Sequence, residues 1–173
     1  QATIHASGVQ DVIINITTLP VAPQTNTVTL RNIQINGAGV TLGTTGVRVF
    51  GSTNVILDRV NIFGFGTNGV LAEDTSKVSI NDGVFFNISG IALHSMDSAT
   101  LTVENSQVNG NNIAVQADLG SEIRMANNGF YNNKTGFACG TGGTLASAGN
   151  NRKAGNTGGV VPTCTPTVAI TIQ

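Results

Sequence analysis

The stretch LTVENSQVNGNNIAVQA at residues 101–117 decides the fold. Apolar and polar residues alternate in three short segments, around Leu101 and Val103, around Val108, and around Ile113 and Val115. Such alternation is typical of short half-buried strands, and the Asn, Ser and Gly residues between the segments are typical of tight corners. The three- and four-residue spacing of an amphipathic helix is missing. The stretch therefore predicts three strands joined by sharp turns.

The same three-strand unit recurs along the chain. The apolar pairs of the second strand are Val28/Leu30, Val55/Leu57, Val78/Ile80, Leu101/Val103, Ile123/Met125 and Leu145/Ser147. From Val55 onward they lie at positions 55, 78, 101, 123 and 145, in steps of 23, 23, 22 and 22 residues. The third strand contributes Ile33/Ile35, Val60/Ile62, Phe85, Val108 and Phe130. A repeat of this length is typical of a solenoid, in which each unit buries its apolar side only by stacking on its neighbours.

The first strand of each unit has a less regular spacing. Its central apolar residues align at positions 47, 70, 91, 113 and 137. This alignment places Gly46, Gly69, Gly90 and Gly136 at one corner, with Asn112 in the equivalent position. It also predicts a flat, outward-facing apolar strip of Leu71, Ala92, Ala114 and Ala138.

These units predict an all-β fold, a parallel β-helix of about six coils of 21–24 residues. A sandwich or barrel is disfavoured, because it would need antiparallel strands joined by hairpin turns and would not require a repeat of this length. One domain is expected, with an N-terminal strand region and first coil at 1–26, regular coils at 27–147, and a C-terminal loop and terminal strand at 148–173. Left-handed backbone is expected at one corner, at Asn32, Arg59, Asp82, Asn105 and Asn127.

Four stretches carry a family resemblance: VTLRNIQINGAG, VNIFGFGTNGV, LTVENSQVNGNNIAVQA and AGNNRKAGNTGG. Through them the chain resembles the right-handed parallel β-helix repeats of the pectate-lyase-like superfamily, over roughly residues 2–159. It is similar in particular to a group of small uncharacterised secreted bacterial β-helix proteins. The resemblance implies a right-handed coil and a secreted protein, and it implies little about chemistry.

Composition narrows the classes of partner. Charged residues make up 10% of the chain and the net charge is −1, so no basic field attracts nucleic acid or anionic lipid. No apolar run approaches the roughly 20 residues that a membrane span requires. The clustered carboxylates and bases of polysaccharide hydrolases and lyases are also missing from the sequence, which favours a non-catalytic role.

Two groups of polar residues are the nearest approach to a chemical site. Asp74, Asp97 and Asp118 are expected to stack at one corner, either as turn residues that cap local amides or as a Ca²⁺ site. His94 is expected to point outward, beside Glu73 of the previous coil and Gln116 of the next. Apart from that alternative Ca²⁺ site, no cofactor is expected.

An aromatic column is predicted on the outer face of the third strand. The position after the inward residue reads Asn36, Phe63, Phe86, Asn109 and Tyr131. Phe63, Phe86 and Tyr131 are candidates for stacking on sugar rings or for contact with a protein. The alternative is a column covered by the chain's own tail or loops.

The C-terminal segment predicts a disulfide and a last strand. Cys139 has an inward position in the last complete coil and Cys164 precedes the terminal strand, so a bond between them would join tail to rod in an oxidising compartment. A buried free thiol at Cys139 is the alternative. Thr167, Val168, Ile170 and Ile172 form the terminal strand, which caps its own rod, lies along its side or adds to a neighbouring subunit.

Together these features favour a secreted protein, extracellular or on the cell surface. The first interpretation is a non-catalytic structural protein whose rods self-associate. A polysaccharide-binding module that uses the aromatic column is the second, and a degenerate lyase- or hydrolase-like enzyme is the third.

Overall fold

The computed structural model describes residues 2–5, 7–9, 12–16, 27–51, 53–158 and 163–171. Within these residues the chain forms strands and turns, with no helix and therefore none long and apolar enough to cross a membrane. Strands that are neighbours in a sheet belong to successive coils and run parallel. The architecture is a parallel β-helix, as the repeat predicts.

Three sheets run along the rod, and their strands are numbered in chain order. Sheet 1 contains β1 (Ala2–His5), β4 (Ile33–Asn36), β7 (Asn61–Phe63), β10 (Val84–Phe86), β13 (Gln107–Asn109), β16 (Gly129–Tyr131) and β19 (Arg152–Ala154). Sheet 2 contains β2 (Val12–Ile16), β5 (Gly43–Gly51), β8 (Phe65–Ala72), β11 (Ile91–Ser95), β14 (Ile113–Ala117) and β17 (Thr135–Cys139). Sheet 3 contains β3 (Thr27–Arg31), β6 (Asn54–Asp58), β9 (Lys77–Asn81), β12 (Thr100–Glu104), β15 (Glu122–Ala126), β18 (Thr144–Ser147) and β20 (Val168–Ala169).

The core consists of the predicted inward stacks. In sheet 3, Val55, Val78, Leu101 and Ile123 are level on successive strands, and each is at most 1% exposed. Sheet 1 adds a second stack of fully buried residues: Ile35, Ile62, Phe85, Val108 and Phe130. Each large side chain contributes roughly 1.5–3 kcal/mol by leaving water. Stacking of successive coils therefore supplies the apolar burial that no single coil achieves.

Sheet 2 differs from the predicted alignment in two coils. Val70 pairs with Leu93 and Val115 pairs with Phe137, so the equivalent positions are 47, 70, 93, 115 and 137. The predicted positions 91 and 113 are therefore wrong by two residues. A slip of two residues leaves the same side chains pointing inward, and alternation alone cannot detect it.

Two predictions that depended on this alignment are also wrong. Gly90 and Asn112 are not level with Gly46, because the corrected register places Ala92 and Ala114 there. The predicted apolar strip is not one row either, since Leu71 is level with His94. All four members of the strip, Leu71, Ala92, Ala114 and Ala138, are buried, so they form no exposed flat surface.

The corner between sheets 3 and 1 has the predicted left-handed backbone. The residues Asn32, Arg59, Asp82, Asn105 and Asn127 have φ values between 52° and 54°. Asn tolerates this region better than most residues, and its amide also bonds between coils. The Asn127 Nδ2 atom donates to the Asn105 Oδ1 atom at 2.7 Å. The Arg59 guanidinium lies 3.5 Å from the carboxylate of Asp58, its neighbour in the sequence.

Two columns of polar side chains, buried except in the last coil, recur at steps of 22 and 23 residues and connect successive coils. One column contains Ser106, Asn128 and Asn151, and the other contains Asn111, Asn133 and Asn156. The Asn133 Oδ1 atom accepts hydrogen bonds from the backbone N and the Nδ2 of Asn111, both at 3.0 Å. Its Nδ2 atom donates to the Val108 carbonyl at 2.8 Å. These amides satisfy buried backbone groups at turns, where strand pairing cannot.

Candidate functional site

The predicted aromatic column is present as a row on the outer face of sheet 1. Asn36, Phe63, Phe86, Asn109 and Tyr131 are level on successive strands, and the residue before each of them is buried in the core. Successive side chains of a strand point to opposite faces, so this row points outward. A binding role for its aromatic members remains a prediction.

Phe63 and Phe86 stack on each other along the rod axis. Their ring centroids are 4.5 Å apart and their planes differ by 13°. Such a pair contributes about 0.5–1.5 kcal/mol beyond the area it buries. Phe86 remains 39% exposed, so the described residues do not cover the row.

A second outward row on the same sheet lies beside the aromatic row. The five central strands contribute ten residues to these rows, which we name the neutral strip: Gln34, Asn36, Asn61, Phe63, Val84, Phe86, Gln107, Asn109, Gly129 and Tyr131. The rows continue with Thr3 and His5 on β1 and with Arg152 and Ala154 on β19. None of the ten residues of the strip carries a charge. The strip therefore offers amide donors and acceptors next to aromatic rings.

Of the three acidic residues predicted as a column, Asp74 and Asp97 are equivalent in position and Asp118 is not. Asp74 and Asp97 occupy the same turn position, with φ values of 51° and 53°, but in the next coil Leu119 takes that position with φ 51°. Asp118 lies one residue earlier and its carboxylate contacts His94 instead. Among the described residues, no group of three or more His, Cys, Asp and Glu side chains is placed to hold a metal ion.

A polar cluster on the outer face of sheet 2 contains His94 and Gln116, which are predicted as neighbours and are level, together with Asn68 and Asp118, which are not predicted there. His94 Nε2 lies 2.8 Å from Asp118 Oδ2, and His94 Nδ1 lies 3.2 Å from Asn68 Oδ1. Gln116 Nε2 donates to the same Asp118 oxygen at 2.6 Å. The 23-residue step of sheet 3, applied to sheet 2, would have placed Leu71 rather than Glu73 level with His94. Since both ring nitrogens are occupied and the cluster contains no hydroxyl or thiol, its chemistry is that of a closed hydrogen-bond network.

Glu73, the predicted partner of His94, pairs with Arg48 instead. Arg48 Nε lies 2.6 Å from Glu73 Oε2, and Arg48 Nη2 lies 3.3 Å from Glu73 Oε1. The side-chain hydrogen bond to Glu73 raises the pKa of the Arg48 guanidinium. This two-point contact occupies the carboxylate, so Glu73 is not free to act as an acid or base beside His94.

The terminal strand lies on the end of its own rod. β20 pairs in parallel with β18, with Val168 level with Ala146. The backbone N of Thr167 donates to Leu145 O, and that of Ile170 donates to Ser147 O. Of the three predicted arrangements, the cap on its own rod is the one observed for these residues. Ile172 lies outside the described residues, and a role of this strand in assembly remains a prediction.

Cys139 and Cys164 form the predicted disulfide, with their Cα atoms 5.6 Å apart. An antiparallel bridge between Ala138 and Thr163 lies beside it. The 25-residue separation implies a stabilisation of roughly 3 kcal/mol in the chain-entropy model. The bond thus fixes the tail to the last coil.

Comparison with known proteins agrees with this geometry. A family model described as the right handed beta helix region matches residues 18–171 of the chain. The chain belongs to the right-handed β-helix family. No curated protein and no solved structure matched this right-handed β-helix. Family membership establishes that the coils are right-handed. It does not identify a function, which has to be inferred from the surface of this chain.

The β-helix also has a cavity of about 690 Å³ at its C-terminal end. Its lining includes Phe137, Lys153, Asn156 and Thr165, together with the predicted residues Cys164 and Thr167. Lys153 Nζ lies 4.7 Å from the centroid of the Phe137 ring. The cavity forms where the tail closes over the last coil, apart from the neutral strip.

Proposed function

We propose that this protein is a non-catalytic extracellular rod whose neutral strip binds an uncharged polysaccharide. The observation that carries the proposal is the composition of the strip, which combines amide side chains with three aromatic rings and includes no charged side chain. Amides donate and accept hydrogen bonds, as sugar hydroxyls do, and aromatic rings contact the apolar faces of sugars.

The size of the strip favours a long, narrow ligand. Five strands at the usual spacing and three residues across give about 24 Å by about 10 Å, on the order of 250 Å². A stable protein–protein interface buries about 800 Å² on each partner, so the strip alone is too small for one. A single extended polysaccharide chain matches its proportions.

The charges near the strip favour a neutral ligand over an acidic one. Recognition of carboxylates or sulfates generally uses Arg or Lys in direct contact. The charged residues nearest the strip are Arg152 on β19, which is level with Gly129, and the corner residues Arg59 and Asp82, which have opposite signs. Within the ten residues of the strip an acidic chain would therefore meet no cation, and Arg152 lies beyond its C-terminal end.

Two further features agree with an extracellular, non-catalytic role. The disulfide between Cys139 and Cys164 suits an oxidising compartment. On the outer face of sheet 2, His94 is hydrogen-bonded to Asp118 and Arg48 is paired with Glu73, so that these side chains serve the fold rather than a reaction.

Replacing Phe86 with Ala is expected to weaken binding of neutral polysaccharide about 5- to 10-fold, or about 1–1.4 kcal/mol. The change removes an exposed ring and unstacks Phe63. Affinity electrophoresis or calorimetry over a panel of neutral and acidic polysaccharides measures the effect. Ile56→Ala is the matched control, because Ile56 is also 39% exposed but lies on sheet 3.

Two results would contradict the proposal. One is a wild-type protein that binds no neutral polysaccharide, or that prefers acidic ones. The other is an equal loss of affinity in Phe86→Ala and Ile56→Ala, since binding would then not depend on the neutral strip.

A second candidate function is self-association of rods end to end. In the first described coil Val28 and Leu30 are only partly buried, whereas Val55 and Leu57 of the next coil are 1% and 0% exposed. A copy that stacked its last coil there would bury these side chains and continue the parallel sheets, and such head-to-tail contacts generate filaments.

Light scattering over a rising concentration series tests this second candidate. If rods stack, the mass is expected to increase with concentration, and electron microscopy is expected to reveal filaments of rod width. A monomeric mass at the highest concentration, together with electron micrographs that contain no filaments, would exclude end-to-end assembly.

A further inference from the structure

Gly129 is the one position of the neutral strip without a side chain. The equivalent residues on the other coils are Thr3, Gln34, Asn61, Val84, Gln107 and Arg152. Its backbone does not require glycine, because its φ is outside the left-handed region. The reason for a glycine therefore lies in the neighbouring side chains.

The space above Gly129 is filled by the ring of Tyr131. A Cβ atom at position 129 would lie 2.7 Å from Tyr131 Cε2, and it would also meet Gln107 Oε1. The tyrosine ring thus leans back along its own strand over Gly129, with the Gln107 amide beside it. Glycine at this position is what permits that orientation.

This orientation distinguishes Tyr131 from the two phenylalanines of the strip. Phe63 and Phe86 each cover one face of the other, so they present mainly their edges outward. The neighbours of Tyr131 in its row are Asn109 and Ala154, which are not aromatic. Its backbone N donates to Asn109 Oδ1 at 3.2 Å, which turns that amide toward the Tyr131 coil.

We infer that Tyr131, leaning over Gly129, is the platform on which one sugar ring of the bound polysaccharide stacks. The Gln107 amide beside the ring is placed to hold a hydroxyl of the same sugar, and the phenolic oxygen adds a second polar contact. The inference rests on the proposed function and names, within the neutral strip, a subsite for an uncharged pyranose.

Intrinsic fluorescence gives a direct readout at this subsite. Tyr131 is the only tyrosine of the chain, which has no tryptophan, so tyrosine emission reports on this ring alone. Titration of the wild-type protein with a neutral polysaccharide is expected to change the emission saturably. The midpoint is expected to match the dissociation constant from calorimetry.

The decisive variant is Gly129→Ala. The three atoms that the new methyl group would meet belong to the side chains of Gln107 and Tyr131 and none to the backbone, so the amide and the ring are displaced and the fold persists. We expect at least a 10-fold loss of affinity with an unchanged melting temperature. Tyr131→Ala is expected to lose as much, and the double variant no more than either single one.

Gly66→Ala on sheet 2 is the control. Its added Cβ would make only ordinary van der Waals contacts, of which the nearest is the Gly43 carbonyl oxygen at 3.6 Å. If Phe86→Ala weakens binding but Gly129→Ala and Tyr131→Ala bind like the wild type, Tyr131 is not the stacking platform and the proposed function stands. If Gly129→Ala unfolds, the affinity of Tyr131→Ala decides. A wild-type protein that binds no neutral polysaccharide overturns both.

Discussion

Leu101→Asp is expected to leave the protein unfolded. Leu101 is fully buried in the sheet 3 stack, level with Val78 before it and Ile123 after it. An unpaired carboxylate in this position loses its hydration and gains no partner, which costs several kcal/mol, while a domain of this size is stable by only about 5–15 kcal/mol. The lost apolar burial adds roughly 2 kcal/mol. Circular dichroism and soluble yield measure the outcome.

The matched control is Thr102→Asp, one residue further along the same strand. Thr102 points outward and is level with Arg124, so a carboxylate there stays hydrated and faces a positive charge. We expect this variant to fold and to melt near the wild-type temperature. A soluble, cooperatively melting Leu101→Asp protein would show that the stack is not essential.

Asn133→Ala is expected to destabilise the protein by about 2–6 kcal/mol. Its amide is the buried acceptor for the Asn111 backbone N and the donor to the Val108 carbonyl. Removing it leaves at least two buried polar groups without a partner, each of which costs about 1–3 kcal/mol. Chemical denaturation followed by circular dichroism gives the change in free energy of unfolding.

Asn150→Ala provides the comparison for this prediction. Asn150 Oδ1 accepts a hydrogen bond from the Asn127 backbone N at 2.8 Å, the same type of contact between coils, but in an exposed position. Water replaces the lost acceptor there, so we expect a loss below about 1 kcal/mol. Equal effects of the two substitutions would mean that burial of the Asn133 amide is not what matters.

Much of the fold could be predicted because the inward residues repeat at nearly constant intervals. Val78, Leu101 and Ile123 define the register of sheet 3 by themselves, and the pair Cys139 and Cys164 follows from the position of the last coil. The register of sheet 2 was harder to predict, because residues 91 and 93 are both apolar and point to the same side of their strand. The alternation of apolar residues is consistent with either residue being level with Val70. Only the hydrogen-bonded pairing of the strands distinguishes the two registers.

The candidate site was predictable to the extent that it depends on register. The row of Phe63, Phe86 and Tyr131 follows from the short strands of sheet 1, which leave no room for a slip. Asp118 was misplaced because its turn places Leu119 and Gly120 in the left-handed positions that Asp97 and Ser98 hold one coil earlier. The lean of Tyr131 over Gly129 depends on the rotamer of one side chain, which no periodic pattern encodes.

The buried amide columns make the length of the rod adjustable. Each amide bonds only to the coil directly before it and the coil directly after it, as Asn133 does with Asn111 and Asn156. Duplication of a 22- or 23-residue unit that carries one amide for each column would insert a coil without disturbing contacts elsewhere. Every inserted coil would also bring two more outward positions to the strip. Gene duplication, or a protein engineer, could in this way alter the length of the outward surface that one rod presents while keeping the fold unchanged.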